Sequence, residues 1–310
     1  MNRQAKRRSA TRHFLFLAVL LAAALIPRSA QAQQLILKGE YGLMAGTQAP
    51  PGLYAGLLGG ISWADELRGP NGNKVPSGDA SFNQYYFGPL VSWVSNIKIL
   101  GGNYGAVLAV PFANVTTDFP RLDVSNSTSF GLSQLWIVPV NIGWHFSQAD
   151  VMFQYAFYPP TGRYTPGASN NTGLGMWCNE VSVLSTVFFD EKKNFHASAS
   201  LFYDINSKKQ GTDWTTGNPI TLMYGVGANY GSGQLFKGWA GVAGYAQWQV
   251  TETHGADVPG FIAANKTQIY ALGPEFTTLQ GALTIRYFWQ FGGKFSTQGR
   301  GLYVQFAVPI

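Results

Sequence analysis

The feature that most constrains this chain is a series of strand-like runs joined by connections that are alternately long and short. Runs rich in β-branched and aromatic residues, bounded by segments with Gly, Asn and Pro, are typical of β-strands. Twelve strands are predicted, at 53–63, 82–96, 103–115, 131–145, 150–158, 180–189, 195–206, 220–230, 235–250, 267–277, 282–291 and 301–310. An even number of strands places both ends of the chain on one side of a membrane.

The connections between these runs keep a regular order. Long polar connections are predicted at 64–81, 116–130, 159–179, 207–219, 251–266 and 292–300, and tight turns at 97–102, 146–149, 190–194, 231–234 and 278–281. Bacterial outer-membrane barrels have short periplasmic turns at one rim and longer extracellular loops at the other. We therefore predict an all-β fold over residues 52–310, a transmembrane antiparallel up-and-down β-barrel of about 12 strands.

The first 32 residues are predicted to be a cleaved signal peptide. A basic stretch at 1–12 precedes a 13-residue apolar run at 14–26, and Ala30-Gln31-Ala32 has the small-x-small pattern of a cleavage site. The apolar run is shorter than the roughly 18 to 20 residues that a spanning helix needs. Residues 33–51 are predicted to be a periplasmic N-terminal segment or a plug that threads into the barrel.

The signal peptide also accounts for the apparent basicity of the chain. The full sequence has 21 Lys and Arg against 15 Asp and Glu, and six of the basic residues but none of the acidic ones precede residue 33. The mature chain therefore has 15 basic and 15 acidic residues. Because no net basic field remains, no nucleic-acid partner is expected.

Alternation within the strands is a second indication of a barrel, because side chains facing lipid and lumen must alternate. In the strand at 195–206, apolar residues occupy the odd positions and mostly polar ones, including Asp204, the even positions. The strands at 53–63, 82–96 and 235–250 do not sort in this way.

One hairpin predicts its own register. A two-residue turn at Gln280 and Gly281 pairs residues whose numbers sum to 561. That register sets Glu275 opposite Arg286 on the lumenal face, where paired charges are tolerated within a membrane span. Gln290 lies on the same face.

No pattern for catalysis or metal binding is found. The sequence has no G-x-S-x-G, H-E-x-x-H or P-loop motif, and the lone Cys178 excludes an internal disulfide. The mature histidines, His145, His196 and His254, are scattered. We expect no enzymatic activity, no cofactor and no metal.

Nine segments, in order along the mature chain, resemble a known family. They are GTQAPPGLY at 46–54, ADELRGPNGNKVP at 64–76, LGGNYG at 100–105, GWHF at 143–146, YPPTGRY at 158–164, PGASNN at 166–171, GLGMW at 173–177, YDINSK at 203–208 and ALGPE at 271–275. Their succession resembles the family named for the meta-pathway of phenol degradation. The resemblance implies a barrel in the outer membrane of a Gram-negative bacterium, often encoded beside pathways for aromatic or other apolar compounds, and it implies no catalytic residues.

Passive passage of small hydrophobic or aromatic compounds through the outer membrane is the function we expect. Twelve strands lie between the eight of side-chain-filled barrels and the 16 to 18 of open porins, so we expect a narrow or plugged lumen. The candidate lumen or gating residues are Asp204, Glu275, Arg286 and Gln290 on the wall, with Arg163, Tyr164 and Trp177 in the longest loop. The expected partners are outer-membrane lipid, lipopolysaccharide, the barrel-assembly machinery and a small apolar or aromatic solute.

Two alternatives from other classes stay open. A structural or adhesive barrel would have a lumen packed shut and would transport nothing. A barrel hydrolase would bring Ser, His and an acid together on one patch. The sequence does not indicate an oligomeric state.

Overall fold

The computed structural model of the chain describes residues 39–76, 79, 81–122, 124–168, 171–233 and 235–310. The predicted signal peptide and residues 33–38 lie outside the described residues. The described part forms one antiparallel sheet. Its strands are β1 (Gly52–Arg68), β2 (Ser81–Ile99), β3 (Gly102–Ala109), β4 (Phe112–Phe119), β5 (Val124–Ser127), β6 (Gly131–Leu132), β7 (Trp136–His145), β8 (Ala149–Tyr158), β9 (Cys178–Phe188), β10 (Phe195–Asn206), β11 (Pro219–Tyr230), β12 (Gly238–Gln249), β13 (Gln268–Thr278), β14 (Leu283–Lys294) and β15 (Ser296–Pro309).

The sheet closes on itself because β1 pairs with both β2 and β15. β3 and β4 lie end to end along β2, since Val110 and Pro111 interrupt one wall strand. β6 and β7 lie end to end in the next wall strand, where β6 pairs with β4 and β7 pairs with β3. Within the described chain, twelve strands therefore make up the wall, and the prediction of an antiparallel up-and-down barrel of about 12 strands is confirmed.

The wall has an apolar outer surface and a buried inner surface. In β10, Leu201 is 51% exposed and its neighbour Phe202 is 3% exposed, and this alternation runs the length of the strand as predicted. A closed wall with apolar side chains outside leaves no unpaired strand edge in hydrocarbon. The fold is that of a transmembrane barrel of the outer-membrane type.

The hairpin between β13 and β14 has the predicted register but a longer turn. Glu275 lies opposite Arg286, and the pairing continues down to Thr278 opposite Leu283. The turn therefore contains four residues, 279–282, and the prediction of two was wrong. The register is the same because the longer turn includes one more residue on each side of Gln280 and Gly281, so paired residues still have numbers that sum to 561.

Two strand boundaries also differ from the prediction. The predicted long loop at 292–300 is mostly strand, because the end of β14 pairs with β13, as at Lys294 opposite Gln268, and the start of β15 pairs with β1, as at Ser296 opposite Arg68. At the opposite rim, β12 begins at Gly238, so Leu235 and Phe236 lie exposed in the periplasmic turn. The predicted strand at 235–250 begins too early because Leu235 and Phe236 are hydrophobic but belong to the turn.

β12 shows why some strands could not be sorted from the sequence. Residues 243–247 are all buried, whichever side they face. The outward positions hold small residues such as Gly244, and the Tyr224 ring of the next strand packs so closely that a Cβ on Gly244 would lie 3.0 Å from it. Neighbouring aromatic rings therefore supply the apolar surface there.

The helical content of the described residues is slight. It comprises α1 (Gly260–Ala263) in an extracellular loop and two 3-10 turns, Pro120–Leu122 and Leu279–Gly281. No helix in these parts of the chain is long and apolar enough to cross a membrane.

Candidate functional site

The lumen is the candidate functional site, and charged side chains on its wall are almost entirely buried. The inward charged residues that are 5% exposed or less are Asp150, Glu180, Asp204, Glu275 and Arg286. Strand alternation positions each of them, since their apolar neighbours face outward. Burying charges requires partners, and those partners define the interior of the barrel.

Residues 39–50, which we call the lumen segment, run inside the barrel and supply many of these partners. Glu40, Leu43 and Gln48 are each 5% exposed or less. The lower part of the segment is held to four wall strands. The bonds run from Leu43 N to Glu275 Oε2 of β13 (2.9 Å), from Gly46 N to Thr186 Oγ1 of β9 (2.9 Å), from Thr47 Oγ1 to Asp150 Oδ2 of β8 (2.8 Å) and from Gln48 Nε2 to the Asn103 carbonyl of β3 (3.2 Å).

The upper part of the segment reaches about halfway through the barrel. Tyr41 donates a hydrogen bond to Gln154 Oε1 in the middle of β8, at 3.0 Å. Tyr86 donates to the Glu40 carboxylate, and Gln305 Nε2 donates to the Glu40 carbonyl at 3.0 Å. The segment thus leads from β1, at the periplasmic rim, up to the centre of the lumen.

Glycines in the wall make room for the segment. A Cβ at Gly225 or Gly227 of β11 would lie 2.9 or 2.7 Å from the Leu43 side chain. A Cβ at Gly143 of β7 would lie 2.6 Å from Gln48. A Cβ at any of these positions would require Leu43 or Gln48 to shift, so the glycines leave room for the lumen segment along the wall.

Glu275 and Arg286 form the buried ion pair that the hairpin register predicted. Arg286 Nε donates to Glu275 Oε2 at 2.9 Å, and the two side chains are 6% and 0% exposed. Arg286 Nη1 also donates to Gln305 Oε1 at 2.8 Å. Because Glu275 additionally accepts the Leu43 N–H, the pair both connects the wall strands and holds the lumen segment.

Gln290 lies further along β14 and contacts wall residues. Its Nε2 donates to Tyr245 Oη at 2.8 Å, and its Oε1 accepts the Gly299 N–H at 2.9 Å. These bonds join β12, β14 and β15 across the inner surface. The structure therefore places Gln290 in the lumen wall, away from the lumen segment's hydrogen bonds.

Asp204 lies at a small cavity in the extracellular half of the lumen. Asp204 of β10 is directly opposite Glu180 of β9, and their side chains share a hydrogen bond. Tyr158 donates to Glu180 Oε2 at 3.3 Å. The volume that the centre of a water molecule can occupy in this cavity is about 20 Å³. The cavity therefore has room for about one water molecule. The lining residues are Glu40, Tyr41, Trp136, Tyr158, Glu180, Phe202, Asp204, Thr221 and Met223.

Arg163 and Tyr164 belong to the cap loop, residues 159–177, over the extracellular mouth. The Arg163 carbonyl accepts hydrogen bonds from Thr172 N and Gly173 N, both at 3.1 Å. The Tyr164 ring packs against Gly175, where a Cβ would lie 2.2 Å away, and partial burial raises the pKa of this tyrosine. Both residues contribute to the folded shape of the loop.

Trp177 is not among the residues that line the lumen. Its ring centroid lies 6.2 Å from that of Phe157, which is on the outward-facing side of β8 next to the inward Tyr158. Trp177 is also 49% exposed. This position matches the aromatic girdle at the membrane interface of outer-membrane barrels.

Several lumen residues were missed from the sequence. Phe202 lies two residues before Asp204 in β10 and therefore faces the same way. The alternation that predicts an inward Asp204 also predicts an inward Phe202. Glu40 and Tyr41 gave no such signal, because the segment before β1 has no periodicity. Within the described ranges, no group of three or more His, Cys, Asp or Glu is arranged to hold a metal ion.

Fold and site together define a closed transmembrane barrel whose lumen contains its own N-terminal segment. A family model described as "Putative MetA-pathway of phenol degradation" matches residues 64–306. The chain belongs to that family, and the resemblance noted in the sequence is confirmed. Among curated proteins, none matches this chain.

Solved structures share the barrel fold at low sequence identity. The crystal structure of an outer membrane channel from Pseudomonas putida F1 aligns with a TM-score of 0.67 and 13% identity, over 89% of this chain and 100% of that one. The transport unit of the autotransporter AIDA-I from Escherichia coli aligns at 0.41 with 11% identity, over 95% and 96%. The CymD monoaromatic hydrocarbon channel aligns at 0.37 with 11% identity, over 93% and 92%. Only the first TM-score is high enough to support the fold.

Proposed function

We propose that this protein is an outer-membrane channel for passive uptake of small hydrophobic or aromatic compounds, and that the lumen segment is its gate. The observation that carries the proposal is the way in which the lumen is closed. Within the described residues, a segment joined to the wall at one end, at β1, occupies the interior through hydrogen bonds to several strands. Withdrawing it breaks no covalent bond and no pairing between wall strands.

The energetics fit a segment that can leave. Because water replaces the lost partner, each neutral hydrogen bond contributes about 0.5 to 1.5 kcal/mol net, and each bond to a carboxylate, as at Glu275 and Asp150, about 1.5 to 3 kcal/mol. Gly143, Gly225 and Gly227 bring no side chains into the space that the segment fills. Withdrawal towards the periplasm would therefore leave a groove along the wall.

The aromatic content of the cavity supports an apolar cargo. Trp136, Tyr158 and Phe202 of the wall contribute three rings to one small space. The family to which the chain belongs is named for the degradation of an aromatic compound. Aromatic rings bind other rings through offset or edge contacts in addition to apolar burial.

The outer surface supports the remaining partners. Leu302, Val304 and Phe306 of β15 face outward at alternate positions, as expected of a final strand that the barrel-assembly machinery recognises. Outer-membrane lipid surrounds the apolar band, and lipopolysaccharide is the proposed partner at the extracellular rim.

We propose no catalytic role. His145 pairs with Asp150 at 3.0 Å, and His254 Nδ1 contacts the Glu252 carbonyl at 3.3 Å. His196 has no hydrogen-bond partner among the described residues. None of these contacts brings a serine to a histidine, as a barrel hydrolase would require.

A reversible lock tests the gate. Leu43→Cys removes the Leu43 methyl that lies 2.9 Å from a Cβ built on Gly225, so a second cysteine, Gly225→Cys, fits beside it within reach of a disulfide. Cys178→Ala removes the native thiol. In planar membranes with one lipopolysaccharide leaflet, we expect ion current under reducing conditions, interrupted by blockades when toluene is added, and no current after oxidation.

The controls separate the two parts of the proposal. The single variant Leu43→Cys cannot form the disulfide and should conduct under both conditions. Equal current from the oxidised and reduced double variant would refute the gate. No current in the reduced state, with or without toluene, would overturn the channel itself.

A further inference from the structure

The Tyr41 side chain occupies a site built by the wall. Its ring lies 5.4 Å from the Phe202 ring at an interplanar angle of 33°, and 6.4 Å from the Trp136 ring at 84°. Its hydroxyl donates to Gln154 Oε1 at 3.0 Å. All three partners belong to wall strands and are at least nine-tenths buried. The wall thus offers two rings and one hydrogen-bond acceptor to a single ring with a hydroxyl.

A tyrosine side chain is a phenol substituted at the position opposite its hydroxyl. We propose that the space filled by Tyr41 is a binding site for a neutral single-ring aromatic compound with a hydroxyl group, and that such a cargo molecule replaces Tyr41 when the lumen segment withdraws. The inference rests on the proposed gate, since the site is filled while the segment is in place. Beyond the gate, the inference states which class of cargo the channel prefers and which wall residues bind that cargo.

The hydroxyl matters because of Gln154. Its amide is 2% exposed while Tyr41 is in place, and once Tyr41 leaves, water takes the place of the lost donor at Oε1. A cargo ring that fills the site displaces this water, and an acceptor left buried without a donor weakens binding. A cargo hydroxyl restores that hydrogen bond, whereas a ring without a hydroxyl does not.

The neighbouring charges predict that anionic aromatics are rejected. Glu180 and Asp204 of the wall line the cavity next to Tyr41 and stay in place when the lumen segment withdraws, and no Lys or Arg is among the described residues that line the cavity. A carboxylate on the ring would be brought close to these acidic groups inside a poorly solvated space, where like charges repel strongly. The site should therefore bind phenols and exclude benzoates.

Tyr41 competes with the cargo in this account. The apparent dissociation constant of a ligand rises as the fraction of protein with an empty site falls. Tyr41→Ala vacates the site permanently and should strengthen binding of a phenol by about tenfold or more if the segment is in place more than nine-tenths of the time. Tyr41→Phe keeps the ring but loses the bond to Gln154, and should give a smaller gain.

Fluorine NMR titration of the refolded mature chain in detergent tests these expectations. The probes are 4-fluorophenol, 4-fluorotoluene and 4-fluorobenzoate. In Tyr41→Ala, we expect 4-fluorophenol to bind at least about fivefold more tightly than 4-fluorotoluene, which is the effect of one hydrogen bond, and 4-fluorobenzoate not to bind. Tyr230→Ala is the matched control, since Tyr230 faces outward and donates to the Thr277 carbonyl, and it should bind as the wild type does.

Gln154→Met in the Tyr41→Ala background identifies the recognising group. It should lower 4-fluorophenol binding to the level of 4-fluorotoluene. Equal 4-fluorophenol affinity in the wild type, Tyr41→Phe and Tyr41→Ala would overturn the site, as would a phenol preference that survives Gln154→Met. If the reduced cysteine variant conducts while Tyr41→Ala gains no phenol binding, the channel stands and only this site is refuted.

Discussion

The two ends of the lumen are closed in different ways. At the periplasmic side, the lumen segment is joined to the wall only at β1 within the described chain, and its side chains and backbone bond directly to wall strands. At the extracellular side, loops cover the mouth, and each loop is joined to the wall at both ends. The cap loop is held by Gln134, whose Nε2 donates to the Met176 carbonyl at 2.9 Å.

The extracellular loops also bind one another. Gln210 N donates to the Gly175 carbonyl at 2.7 Å, and Thr215 pairs with His254 across two loops. A loop with two attachments can shift but cannot leave, whereas a segment with one attachment can be withdrawn. This difference is the reason why we propose the lumen segment, and not the extracellular loops, as the gate.

The largest predicted effect concerns the buried pair beneath the lumen segment. Arg286→Met leaves Glu275 buried without its cation and should lower the free energy of unfolding by about 3 to 5 kcal/mol. Glu275→Gln combined with Arg286→Met removes both charges and should recover most of that loss. Urea unfolding followed by electrophoretic mobility measures both. Equal losses in the single and double variants would contradict a charge-pair explanation.

A smaller effect is expected from one hydrogen bond of the segment. Thr186→Val removes the acceptor for the Gly46 N–H and should raise the open probability about fivefold, corresponding to about 1 kcal/mol. Thr284→Val is the control, because the Thr284 hydroxyl bonds to Thr277 in the wall, at 3.1 Å, and to no described residue of the lumen segment. Single-channel recording gives the open probability. A similar increase in both variants would mean that the wall, and not the segment, sets the opening.

The smallest effect is expected at the extracellular loops. The Lys208 ammonium and the Ala256 N–H, both bonded to the Asp213 carboxylate, lower its pKa from the ordinary 3.8. A lowered pKa keeps the carboxylate charged, so these contacts persist as pH falls and are lost only below that ordinary value. Hydrogen exchange at residues 207–218 should therefore show equal protection at pH 7 and pH 5. Loss of protection at pH 5 would show that the loop contacts depend on other groups.

The sequence predicted the wall better than the interior, for a physical reason. Strand alternation and turn residues are local signals, and they located twelve wall strands and the Glu275–Arg286 register. Strand alternation did not predict which way a residue faces where that depends on a neighbouring strand. Glycine is not typical of a lipid-facing position, and Gly244 occupies one because the Tyr224 ring of the next strand covers it.

The interior depends on contacts between residues far apart in the chain. Tyr41 and Gln154 are separated by 113 positions, and no periodicity links them. Trp177 shows the opposite error, since its place in the longest loop favoured a gating role, but its ring lies against Phe157 on the outer face. Which way a loop residue faces follows from packing that the loop sequence does not contain.

The claim that a removable segment closes the channel has one direct test. A mature chain lacking residues 39–48 should still give a heat-modifiable folded barrel, because the deletion touches no wall strand. In planar membranes we expect its ion conductance to exceed that of the wild type by about tenfold or more, since the closed population is removed. A folded deletion variant with the conductance of the wild type would contradict the account.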